Sequence, residues 1–185
     1  MSPRLILFAA LVLLMAVVLA LAAIRAFRHS HKTSAADWDE LIGRLAAVDR
    51  GSIAEVALDL VDESGAPRRD PTEVLESGQI WEKVGGMEGL EVLKRNCAVL
   101  IDLACYVQRW YPEALVVAEQ LRLSAREIEW HVGRLHSAEE TGKLETSFSM
   151  YAPRAVAIYY LMTRKVLALY EHGSLDLLSD LQKAI

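Results

Sequence analysis

Glu127, His131 and His136 are the side chains in this sequence that come closest to a metal-ligand set. Glu127 and His131 stand four residues apart, one helical turn, and can face the same ion. His136 falls about 140° around a helix axis from His131, and no Glu-x-x-His pair of the kind that builds di-iron bundles occurs in the sequence. An ordinary Glu-to-His helix pair accounts for these residues, so neither a metal nor any other cofactor is expected.

The nucleophiles are no better placed. Cys97 and Cys105 are eight positions apart on one predicted helix. That spacing sets their backbones ~12 Å apart, beyond the ~7 Å that a disulfide spans, so free thiols are expected. Ser124, Ser137 and Ser149 lack a G-x-S-x-G setting. Gly85, Gly86 and Gly89 match neither G-x-G-x-x-G nor the Walker spacing, and they read as the turn into a helix. Asp102 interrupts an apolar run as a buried acid would. At 100° per residue, however, it shares one line with Glu91, Arg95 and Arg109, so Arg95, Asp102 and Arg109 are read as an ion-pair edge. Asn96 points to the apolar side of the same helix and requires a hydrogen-bonding partner in the core. Tyr151, Tyr159, Tyr160 and Tyr170, with Trp110 and Tyr111, have the composition of a ligand pocket, but at helical spacing they are expected to serve as core. Enzymatic activity is therefore not expected.

The elements that position these groups are helices throughout. Residues 34 and 37 resemble a capping signal for a helix with Trp38, Leu41, Ile42 and Leu45 on its apolar stripe, stopped at Gly51. Ser52 and Glu55 form an S-x-x-E box for a second helix carrying Ile53, Val56, Ala57, Leu60 and Val61. Residues 63–70 are the longest internal loop and the best candidate for a mobile segment. Asp70, Pro71 and Glu73 suit a helix start that Ser77 and Gly78 interrupt. Residues 90–111 form a central helix. Pro112 and Glu113 open its antiparallel successor, which buries Ala114, Val117, Leu121, Ala125, Ile128, Val132 and Leu135. Residues 137–149 read as a loop or frayed helix, Pro153 as the start of the next long helix, and Leu175, Leu178 and Leu181 as the packing face of the last. The fold expected is all-α, an antiparallel bundle of five to six helices.

The helix after Pro112 carries a second stripe, Val116, Leu123 and Trp130, nearly opposite the first and bordered by Glu119, Arg126, Glu127 and Arg134. The simplest arrangement covers it with another helix of the same domain. Its heptad spacing and charged borders also suit a seam for a partner protein or for self-association.

Residues 5–24 are an unbroken apolar run, closed by Arg25, Arg28 and Lys32. About 20 helical residues span the ~30 Å hydrocarbon core of a bilayer, so the run is read as an uncleaved transmembrane anchor. A secretory signal cleaved near Ala20, Ala22 or Ala23 is the competing reading, disfavoured because its apolar region is usually only about 7 to 15 residues long. The organisation expected is thus a tail (1–4), a transmembrane helix (5–24), a basic juxtamembrane linker (25–34) and a helical domain (35–185). The cations Arg25, Arg28 and Lys32 outnumber Arg4 and favour a cytoplasmic domain by the positive-inside rule.

All 25 Asp and Glu lie beyond residue 36, whereas four of the 20 Lys and Arg (Arg4, Arg25, Arg28 and Lys32) lie before it. The domain therefore holds 16 cations against 25 anions, a net charge of −9. An acidic domain with scattered cations repels phosphate backbones, which excludes nucleic acid as a partner. The function expected is that of a single-pass protein acting by protein interaction at the bilayer, as adaptor, scaffold or assembly factor. The alternative is a tethered sensory domain holding a small ligand among aromatic side chains.

Overall fold

The computed structural model describes residues 15, 38–62, 64–68, 75–173 and 177–185. The chain divides into two units, Met1–Ala36 and Asp37–Ile185. In the first, Met15 is helical and exposed. Apart from Met15, the proposed span at 5–24 lies outside the described residues, as does its basic flank Arg25, Arg28 and Lys32. Among the described residues no helix is long and apolar enough to cross a membrane.

The second unit is all-α among its described residues, apart from one isolated bridge between Val61 and Pro67. Among the described residues its helices are α1 (Trp38–Gly43), α2 (Arg50–Leu60), α3 (Ser77–Val84), α4 (Gly86–Val107), α5 (Ala114–Glu140), α6 (Leu144–His172) and α7 (Leu178–Ala184). Glu91 near the start of α4 meets His136 near the end of α5, while Cys105 at the end of α4 meets Arg122 nearer the start of α5. These two helices are therefore antiparallel. Asn96 meets Tyr159 and Leu103 meets Tyr170, so α4 and α6 run in the same direction. Helix α6 packs against α2, α3, α4, α5 and α7 and is the hub of the bundle, a role the sequence suggested for α4.

Several boundaries differ from expectation for local reasons. Helix α2 begins at Arg50, because Asp49 takes the N-cap: its carboxylate accepts from Gly51 N at 3.0 Å and from Ser52 Oγ at 2.7 Å. Ser52 is thus inside the first turn, and Gly51 does not end α1. Asp49 is held below the ordinary carboxylate range by these same hydrogen bonds, that of the Ser52 side chain foremost. Ser77 and Gly78 open α3 rather than interrupting a helix, with the Gln79 side chain accepting from Glu76 N–H at 3.0 Å. The helix start suggested at Asp70, Pro71 and Glu73 lies outside the described residues, as does Leu175. Part of the 63–70 loop is a hydrogen-bonded turn, in which Asp62 Oδ1 accepts from the backbone N–H of Ser64 and Ala66 and from the Ser64 hydroxyl.

The glycine turn between α3 and α4 is as expected. Gly85 and Gly86 have φ of 79° and 63°, and a Cβ on Gly89 would lie 1.7 Å from the Val84 carbonyl oxygen. Only glycine permits this approach.

Helix α6 starts nine residues before Pro153, which sits inside it and is buried. The connection from α5 is only residues 141–143. Gly142 takes φ 69° and donates to Glu139 O, while Lys143 N donates to Ala138 O at 2.8 Å. This paired pattern ends α5 as a Schellman motif. An interior proline costs about 3 kcal/mol, and burial of Phe148 and Ala152 in the preceding turns offsets it.

Candidate functional site

Helix α5 presents two faces. On one, Ala114, Leu121, Ile128, Val132 and Leu135 are buried between α4 and α6. On the other, Val116, Leu123 and Trp130 remain 61%, 64% and 56% exposed. No described helix of the domain covers this second stripe, which corrects the simplest expectation and leaves a heptad-spaced apolar face in solvent. Its charged border is intact: Glu119 pairs with Arg122 one turn on, and Arg134 lies 5.9 Å from the ring centroids of both Trp130 and Tyr151. Trp130 meets Tyr151 of α6 edge-on at 5.7 Å, so its indole is braced on one side and open on the other.

Edge-on to Trp130, at a centroid distance of 5.0 Å, is His131, only 4% exposed, with its Nε2 3.9 Å from Glu127 and its Nδ1 lacking a hydrogen-bond partner. Burial pushes the imidazole below its ordinary value, and Arg154 acts in the same direction against the opposing pull of Glu127. His136 is directed elsewhere, to Glu91 at 2.8 Å and Glu139 at 3.6 Å. Partial burial works against ionisation of Glu91, but the hydrogen bonds from Lys94 and His136 prevail and hold its carboxyl below the usual range. Among the described residues no group of three His, Cys, Asp or Glu side chains is placed to hold a metal ion.

The ion-pair edge is not assembled as its sequence spacing suggested. Asp102 is 6% exposed and pairs at 2.9 Å with Arg44, from the segment after α1. Arg95 is exposed, and Arg109 stacks over Tyr106 and Trp110 at 4.6 and 5.5 Å. Seven residues of helix put ~10 Å between Asp102 and either arginine of its own line, whereas the chain following α1 brings the Arg44 guanidinium into contact with the carboxylate. Sequence distance concealed Arg44, which is 58 positions away.

Asn96 has the core partners it requires. Its Oδ1 accepts from Ala46 N at 2.9 Å, and its Nδ2 donates to Ala46 O at 2.8 Å and to Tyr159 Oη at 3.2 Å. One side chain thereby ties the α1–α2 connection to both α4 and α6. Trp38 completes the attachment against Tyr106 and Tyr170, at centroid distances of 5.8 and 5.5 Å.

Of the tyrosines of α6, Tyr159 and Tyr160 line one cleft of about 180 Å³ with Arg50, Thr163 and Arg164, whereas Tyr151 and Tyr170 are not part of its lining. Tyr159 and Tyr170 are core, with burial pushing the Tyr159 phenol up to about 12 and that of Tyr170 upward as well. Tyr170 donates to Leu103 O at 3.0 Å. Trp110 lies exposed. The cleft that sequence reasoning missed, about 370 Å³, is lined by Ser77, Gly78, Trp81, Leu144, Glu145 and Phe148, with the Trp81 and Phe148 rings 4.7 Å apart. Cys97 and Cys105 are free and buried, and burial raises the Cys97 thiol to about 12 and the Cys105 thiol to a lesser, still upward extent. Neither is poised as a nucleophile.

No family model matches the chain, and comparison with curated proteins and with solved structures gives no significant match.

Proposed function

We propose that this chain is a membrane-tethered helical adaptor or scaffold whose domain works on the cytoplasmic side by binding protein through the outer face of α5. The observation that carries the reading is the uncovered stripe of Val116, Leu123 and Trp130 on a helix whose inner face is buried at Leu121, Ile128, Val132 and Leu135. An exposed tryptophan braced by a neighbouring ring is the kind of anchor that dominates interface energetics. The apolar run at 5–24 with Arg25, Arg28 and Lys32 behind it supplies the tether, and tethering raises local concentration enough to make modest contacts effective.

A photo-crosslinking residue at position 123 of the full-length chain tests this in cells. The expected result is a covalent adduct with protein, in a fraction that stays with membranes through a high-salt wash and is released by detergent. A chain recovered in a detergent-free supernatant overturns the tether, and the absence of any adduct overturns the interaction. Lys183→Cys, at an exposed site near the C-terminus, reports sidedness: labelling of intact cells by an impermeant reagent overturns the cytoplasmic placement.

The second reading is a tethered ligand-binding domain, supported by the aromatic cleft between α3 and the start of α6. A small molecule that binds only the folded form raises the unfolding temperature with concentration. Loss of that response in Trp81→Ala would favour this reading.

A further inference from the structure

We propose that the outer face of α5 pairs with a second copy of this chain, antiparallel and two-fold symmetric about Leu123. The inference rests on reading that face as an interaction surface and names its occupant. A two-fold interface must be self-complementary, and this face is. With Leu123 as origin, Val116 and Trp130 lie within about 20° of it around the helix axis. Glu119 and Arg126 fall on one flank, and Glu113, Gln120, Glu127 and Arg134 on the other. In an antiparallel pair related by a perpendicular two-fold, each flank meets its own equivalent. With Leu123 opposite Leu123, Val116 faces the second copy's Trp130. Glu119 then comes within one residue of the second copy's Arg126, and Glu113 within one residue of the second copy's Arg134. Symmetry repeats each contact. Gln120 meets Glu127, and no like charges oppose each other on either flank.

A seam for an unrelated protein needs no such agreement between the sequence of α5 and its own reversal. The pairings also cost little to form. In the monomer Glu119 is engaged only in a half-exposed pair with Arg122, and solvent-exposed pairs of this kind hold their partners weakly.

Disulfide trapping of the full-length chain in detergent micelles tests the register. Leu123→Cys is expected to give a covalent dimer under mild oxidation, while the buried native thiols stay silent. Val116→Cys alone is expected to form no disulfide-linked dimer, because two antiparallel copies hold their own residues 116 about 21 Å apart. Mixed with Trp130→Cys carrying a size tag, it is expected to give the mixed dimer. Glu119→Arg should weaken association roughly 2- to 30-fold through the two pairs lost per dimer. Adding Arg126→Glu should restore it. Dimers of Val116→Cys with itself, or no dimer of Leu123→Cys, overturn the proposal. If Leu123→Cys stays monomeric while the photo-crosslinker at 123 captures a different protein, the self-pairing falls and the adaptor reading stands. If neither forms, both fall.

Discussion

The two faces of α5 carry similar residues at similar spacing and meet different fates. Leu121, Ile128 and Leu135 are enclosed by α4 and α6, whereas Val116, Leu123 and Trp130 stand in solvent on the same helix. Hydrophobic periodicity therefore does not by itself say whether a helix face is covered within the domain. The deciding information lies in the rest of the chain: once α6 has docked, no described helix is left for the outer stripe.

The sharpest contrast between inside and outside is chemical. The Cys97 thiol, raised from 9.0 to about 12, should react with a small alkylating reagent at pH 8 about a thousandfold more slowly than an ordinary thiol. A cysteine placed at position 123 should react at the ordinary rate. Labelling kinetics read by mass spectrometry check this, and equal rates would erase the distinction.

Next in size is packing. Leu135→Ala should cost about 2–5 kcal/mol in urea unfolding, since it empties a site closed on all sides. Leu123→Ala should stay within about 0.5 kcal/mol under conditions that keep the chain monomeric.

Asn96→Ala should cost about 1–3 kcal/mol, because it orphans the Ala46 N–H and carbonyl in a partly buried place. A thermal shift no larger than that of a surface substitution would show that the α1–α2 connection does not depend on this amide.

The smallest effect is that of His131, the group lying between the two faces. Its folded-state value is below the ordinary 6.5, so the unfolded chain binds the proton more readily. Its contribution to stability is thus complete above about pH 6.5 and is lost as the pH falls through the lower folded value. His131→Phe should flatten that acid limb of the stability profile in chemical unfolding at stepped pH.

The helical class, the inward faces of α4, α5 and α6, the glycine turn before α4 and the unmet need of Asn96 were all legible, because each is a local pattern. What was not legible depended on competition or distance. Asp49 and Ser52 both qualify as caps within one turn, and Asp49 prevails by bonding both Gly51 N–H and the Ser52 hydroxyl. Pro153 signals a helix start by local rules, yet packing of Phe148 and Ala152 carries α6 through it. Gly142 followed by Lys143 was the overlooked signal for the tight α5–α6 connection. Arg44 could not be matched to Asp102 without the fold that brings α1 across α4.

The position of α6 has one more consequence. The helix against which α2, α3, α4, α5 and α7 close is the last but one of the described helices of this unit in order of synthesis. During translation at about 5–20 residues per second, the earlier helices leave the ribosome with their core-facing sides unsatisfied, and they wait several seconds for the element that completes them. A chain ending before residue 144 would present both apolar faces of α5 to its surroundings, and exposed apolar surface of that kind is prone to aggregation.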